Sequence, residues 1–141
     1  MKNLIESVLL IEGNPKSARQ NEMIIENTNL VYQIAVAYNA DNAMNYIRQR
    51  LSVGKELPSI ILLDIHLPSS SGWNFLDKLQ LQHLGKELPE IYLLGYDSNA
   101  HDIIKGSVHP LTKGIINLPL MDWEITKILN NYDNQLAYNV A

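Results

Sequence analysis

Ile60-Ile61-Leu62-Leu63-Asp64-Ile65-His66-Leu67-Pro68-Ser69-Ser70-Ser71-Gly72-Trp73-Asn74-Phe75-Leu76 is the stretch on which the reading of this chain turns. Its four leading aliphatic residues form the most apolar short run in the sequence. Such a run is the mark of a strand buried on both faces, as in the centre of a parallel sheet. Asp64 then stands at the carboxyl end of that strand, beside a loop constrained by Pro68. Beyond the loop, Gly72, Phe75, Leu76 and Leu79 recur at helical spacing. The segment therefore reads as strand, loop, helix, with one carboxylate held at the strand tip.

The flanking sequence repeats the alternation. Ser7-Val8-Leu9-Leu10-Ile11 is a first apolar strand ending at Glu12-Gly13, and Asn14-Pro15 has the form of a helix start, with Asn14 as N-cap. That helix runs to about Asn27 with a weak apolar face. Leu30 to Tyr38 alternates, with Tyr32, Ile34, Val36 and Tyr38 on one side, which places this second strand at the sheet edge. Ala40, Ala43, Met44, Ile47 and Leu51 mark a second helix that Gly54 ends. A fourth strand, Ile91-Tyr92-Leu93-Leu94, ends at Gly95, and a short helix around Ala100, Ile103 and Ile104 follows. After a loop rich in Gly, Pro and His comes a fifth strand, Ile115-Ile116-Asn117. The last helix carries Met121, Ile125, Ile128, Leu129 and Tyr132 on one face. Strands alternating with helices predict an α/β fold, a parallel sheet covered by helices.

Composition narrows the function. The 141 residues suit one domain, and 46% hydrophobic content supports a packed core. The formal net charge of −4, with no basic run, excludes a nucleic-acid binder of the usual kind, and we expect no nucleic-acid partner. With no cysteine there are neither disulfides nor thiolate metal sites. No apolar stretch approaches a signal peptide or a membrane span, so no membrane partner and a cytoplasmic location are expected. His66, His83, His101 and His109 are too scattered for a zinc pattern, and Ser69, Ser70 and Ser71 read as an ordinary turn.

The segment Leu62 to Leu76 resembles the phosphoacceptor strand and loop of bacterial response-regulator receiver domains. That family has an aliphatic pair, the acceptor Asp, three residues to a Pro, and a Gly four beyond it, often followed by Trp-x-Phe-Leu. The similarity covers residues 7–133. It implies a flavodoxin-like (βα)5 three-layer sandwich with a parallel five-stranded sheet in the order 2-1-3-4-5. The domain spans 1–134, and 135–141 form a polar C-terminal tail. Right-handed crossovers and the switch point between strands one and three then put Glu12 beside Asp64.

The resemblance also implies a phosphorelay signalling function, with Asp64 as phosphoacceptor and Mg²⁺ as cofactor. The metal would be held by Glu12, Asp64 and the backbone carbonyl of His66. The remaining family positions have lost their chemistry. Gly13 stands where the second carboxylate belongs, Gly95 where the hydroxyl residue belongs, Leu118 where the Lys belongs, and Ile115 where the switch aromatic belongs. Losing one Asp together with the Lys leaves the cluster at a formal −2, so a cation is still attracted while a phosphoryl group meets neither Lys nor hydroxyl. The reading is a stand-alone receiver, not an enzyme, that acts by protein contact. Its partner would be a histidine kinase or phosphotransfer protein. The face formed by the fourth helix, fifth strand and fifth helix, with Tyr96, Ile103 and Trp123 as anchors, would serve partner binding or a homodimer. Two alternatives stand beside it. One is a conventional phospho-accepting receiver in which Glu12 replaces the missing acid. The other is a small aspartate-nucleophile phosphohydrolase, which wants a second Asp where His66 stands. The family also implies a cis peptide between Leu118 and Pro119.

Overall fold

The computed structural model describes residues 4–67, 72–82, 88–95, 105–106 and 109–139, with side chains described up to Tyr132. Apolar runs form the strands β1 (Ile5–Ile11), β2 (Val31–Ala37), β3 (Ile60–Asp64), β4 (Glu90–Gly95) and β5 (Thr112–Asn117). Helices α1 (Pro15–Asn27), α2 (Ala40–Ser52) and α3 (Gly72–Leu81) follow the first three strands. The helix expected around Ala100, Ile103 and Ile104 lies outside the described residues, so the final helix, Asp122–Asn139, is α4.

All pairings are parallel, and the strand order is β2-β1-β3-β4-β5. This is the expected flavodoxin-like order. It follows from β3, whose five residues are all buried, taking the centre, while half-exposed β2 takes an edge. Side chains along β3 alternate between two cores. Ile61 and Leu63 join Met44, Ile47, Phe75 and Leu79 under α2 and α3. Ile60 and Leu62 join Ile25, Ile125, Ile128 and Leu129 under α1 and α4. The sheet is thus the middle of three layers. Among the described residues no helix is long and apolar enough to cross a membrane.

Local signals act where expected. The Asn14 side chain accepts from the backbone N–H of Lys16 at 3.0 Å and of Ser17 at 3.1 Å, with Pro15 in the first turn. Gly54 closes α2 with a φ of 71°, a left-handed conformation that glycine adopts without penalty. The Leu118–Pro119 peptide is cis, as the family resemblance implies.

Three elements differ from the sequence reading. β5 begins at Thr112 rather than Ile115, because pairing with β4 from Ile91↔Thr112 supplies backbone partners whatever the side chains are. Met121 does not join the buried face of the last helix. It precedes α4, is 48% exposed, and its carbonyl accepts from the N–H groups of Glu124 and Ile125, so it serves the helix end instead. Finally, α4 continues to Asn139, through most of the residues read as a polar tail.

Candidate functional site

The site is assembled by register. β1 and β3 pair from Val8↔Ile60 to Ile11↔Leu63, so the next residue on each strand, Glu12 and Asp64, falls at the same level beyond the carboxyl edge. Their backbones are tied on the outer sides as well. The N–H of Glu12 donates to the Ala37 carbonyl at 3.0 Å, and the N–H of Ile65 donates to the Leu94 carbonyl at 3.1 Å. This is the switch point of the sheet, where β1 and β3 send their following helices to opposite faces.

Asp64 is 9% exposed, and its Oδ1 accepts the backbone N–H of His66 at 2.8 Å, which tightens the turn after β3. Glu12 is 2% exposed, and its Oε2 is buried with no hydrogen-bond partner among the described residues. Burial pushes the Glu12 carboxyl up from the ordinary 4.5 to about 7. The negative charge of Asp64 adds to this, as does the hydrogen bond that a protonated Glu12 makes to Asp64. The backbone N–H of Asn14 opposes the shift. Near neutral pH Glu12 is therefore about half protonated.

Gly72 determines how closely α3 approaches this pair. A Cβ at that position would lie 2.7 Å from the Asp64 carbonyl oxygen and 3.0 Å from the Ile65 Cα, and both contacts are to backbone. The Gly72 N–H donates to the Ile65 carbonyl. The sequence reading used Gly72 as a motif position on a helical face. Its steric role becomes visible only when the strand end and the helix start are brought together.

The remaining expected positions divide clearly. Gly13 is half-buried directly after Glu12 and offers no side chain. Gly95, buried at the end of β4, pairs with Asn117, and its carbonyl accepts the N–H of Leu118 at 2.9 Å. Leu118 is buried in the core under α1 and α4, together with Leu94 and Ile116. Ile115 packs toward the other core, where Gly106 lies so close that an added Cβ would sit 2.8 Å from the Ile115 Cδ1. The His66 side chain is exposed. Trp123 is 65% exposed on the first turn of α4. Tyr96 and Ile103 lie outside the described residues, as do His83, His101 and Ser69 to Ser71. His109, by contrast, is structural: its Nδ1 accepts the Leu111 N–H and its Nε2 lies 3.5 Å from Asp77 Oδ1.

The donor set can be tested against a divalent cation. An unpartnered carboxylate oxygen beside a second carboxylate is what a hard cation would satisfy. No group of three or more His, Cys, Asp or Glu that could hold a metal ion occurs among the described residues. The two acids therefore fit a cation that keeps much of its water, bound in competition with the Glu12 proton.

Comparison with known proteins agrees with this architecture. A crystal structure of a two-component response regulator from Cytophaga hutchinsonii superposes with a TM-score of 0.81 at 28% identity, covering 96% of this chain and 99% of that one. A CheY-like response regulator receiver domain from Methanospirillum hungatei gives 0.75 at 18% identity, covering 95% and 98%. Among curated proteins, a two-component response regulator of Arabidopsis thaliana is 30% identical over 80 residues, or 57% of this chain. The chain spans about a fifth of that relative's length, 19%. No family model matches the chain.

Proposed function

We propose that this chain, a response-regulator receiver domain of the kind used in phosphorelay signalling, acts by protein contact and has a switch half that no longer responds to its acceptor site. The observation that carries this reading is the burial of Leu118 in the core, at the position where the family resemblance expects a Lys. Together with Gly95, it leaves a phosphoryl group without its charge-assisted and hydroxyl contacts. Contacts to charged groups are worth about 1.5–3 kcal/mol each.

In the reaction at issue, an Asp64 carboxylate oxygen would attack phosphorus and form an acyl phosphate as the bond from phosphorus to the donor breaks, the leaving group departing with that electron pair. A bound Mg²⁺ would supply charge neutralisation at the phosphoryl oxygens. Glu12, Asp64 and the His66 carbonyl are the groups that would hold it. The protein's own part is to orient Asp64 through the His66 N–H and to keep Glu12 beside it. Because burial and the charge of Asp64 raise the Glu12 pKa to about 7, Glu12 is partly protonated near neutral pH, which weakens its hold on a cation where the metal is needed.

Receiver domains of response regulators are in general not enzymes, and we read this one in the same way. The phosphohydrolase alternative needs a second acid at position 66, where an exposed His66 stands. Partner binding falls to the surface around β5 and α4, with Trp123 as the exposed anchor. The partner class we propose is a histidine kinase or phosphotransfer protein.

Intact-mass measurement after incubation with a small phosphodonor and Mg²⁺, with Asp64→Asn as control, tests the reading. Slow or undetectable labelling is expected. Rapid Mg²⁺-dependent labelling abolished in Asp64→Asn would overturn it, in favour of a phospho-accepting receiver in which Glu12 stands in for the missing acid.

A further inference from the structure

Among the described residues β2 and β5 are the two edges of the sheet, and they are built differently. β5 carries the exposed Lys113, then Gly114, and its pairing with β4 has a register irregularity between Ile91 and Tyr92. Charges and irregularities of this kind are how proteins keep an edge from pairing with another chain. β2 has none of them. Val31–Ala37 contains no charge, no Pro and no Gly, and runs in register with β1 from Ile5↔Val31 to Ile11↔Ala37. Exposed apolar side chains gather along it: Tyr32 is 73% exposed, and Leu4 and Tyr38 are exposed near its two ends. An open cleft of about 320 Å³, lined by Leu4, Glu26, Asn29, Val31, Tyr32 and Ile34, lies beside its first half.

We infer that β2 is a pairing edge, and that its occupant is β2 of a second copy, antiparallel across a two-fold axis, joining the two sheets into one. Three features select a second copy. An uncharged strand matches itself, and a two-fold pairing requires such self-complementarity. The pairing also closes: two copies use up both β2 edges. A β2–β5 contact would instead propagate without end, and Lys113 and the irregularity oppose it. The third feature is the charge gradient of α1, which packs on β2 and runs back along it. Lys16 and Arg19 lie in its first half, Glu22 and Glu26 in its second. An antiparallel two-fold, with its axis normal to the sheet, keeps both α1 helices on one face and sets the basic half of one toward the acidic half of the other, whereas a two-fold along the strands would put them on opposite faces. Within the helix Arg19 already lies 2.8 Å from Glu22 and 3.6 Å from Glu26, surface pairs of small energy that a facing helix can replace.

The size of the contact sets its strength. A seven-residue strand is about 23 Å long. With a side-chain row of about 10 Å on each face of the sheet, that gives about 500 Å² per copy, below the ~800 Å² of a standard stable interface. The pairing is therefore concentration-dependent rather than permanent.

The natural chain has no cysteine, so single cysteines report the contact directly. In the full chain, cysteine is placed at each of positions 31 to 37 in turn, with Trp123→Cys as comparison. Oxidative crosslinking is read at concentrations of about 5 to 500 µM, the range suited to an interface of this size. An antiparallel two-fold brings only the residue nearest the axis within disulfide range of its own copy. The expected result is one peak within β2 that falls away on both sides. Sedimentation velocity of the cysteine-free protein should pass from monomer to dimer over the same range. Tyr32→Lys should move that midpoint up by about tenfold, and Asp64→Asn should leave it unchanged. Far-UV circular dichroism verifies that each variant is folded. A yield that is flat along β2, a maximum at position 123, or a monomer at every concentration would overturn the proposal. The last outcome would leave the edge to a strand from a different protein.

Discussion

The Glu12→Gln substitution gives the sharpest test of how the acid pair is built. Glu12 ionises at about 7 in the folded protein against an ordinary 4.5, because burial and the adjacent Asp64 both disfavour its charge. Between those two pH values the folded state binds more protons than the unfolded state. Stability therefore falls as pH rises through the 4.5 to 7 window and is flat above it. A shift of this size is worth about 3 kcal/mol at full strength. Solvent reaches the pair through Asp64, which is 9% exposed, and screening there brings the expectation to about 2 kcal/mol. Glutamine keeps the shape and cannot ionise, so the variant escapes this loss. Urea unfolding of both proteins at pH 5, 6, 7 and 8, with a chelator present, should show the variant gaining on the wild type by about 2 kcal/mol from pH 5 to pH 8. At a typical denaturant slope that is a relative midpoint shift of about 1 M. Taking the difference between the two proteins cancels every other titrating group. If the two stability curves run parallel across this range, Glu12 is not the buried acid described here.

Three further outcomes follow from the geometry. Gly13→Asp supplies a third carboxylate beside Glu12 and Asp64, so the Mg²⁺-induced rise in melting temperature at pH 8 should occur at about tenfold lower metal concentration than in the wild type; an unchanged dependence would contradict the two-acid cation site. Gly72→Ala places a methyl group 2.7 Å from the Asp64 carbonyl, and should cost about 1–3 kcal/mol in urea unfolding. Asn14→Ala removes both acceptor contacts of the α1 cap and should cost about 1 kcal/mol.

How much was legible differs from element to element, for physical reasons. The Asn14-Pro15 helix start is local chemistry between neighbouring residues, and it acts as read. Leu30 to Tyr38 holds a sheet edge as its alternating sequence predicts, although its burial does not alternate residue by residue. Thr112, Lys113 and Gly114 leave no such trace, since pairing with β4 rather than their own preference makes them a strand. Met121 fits the spacing of the last helix's apolar face yet lies outside the helix. Periodicity reports that a residue fits a face, not where the chain turns into it. Trp123 lies off that face in sequence and is exposed in the structure.

By itself the sequence determined the alternating strands and helices and the carboxylate at the tip of the most buried strand, which are matters of residue type and short-range spacing. The family resemblance added that positions 13, 95 and 118 lack the expected acid, hydroxyl and Lys. Tertiary structure decided what those residues are to one another. The parallel register of β1 and β3 brings Glu12 level with Asp64, although more than fifty residues separate them in the chain. It decided that Glu12 Oε2 is buried without a partner among the described residues, that Leu118 completes a core, and that α3 starts so close to Asp64 that only glycine fits. Proton affinity, solvation and steric room depend on everything within a few ångströms of a group, and folding alone settles which groups those are.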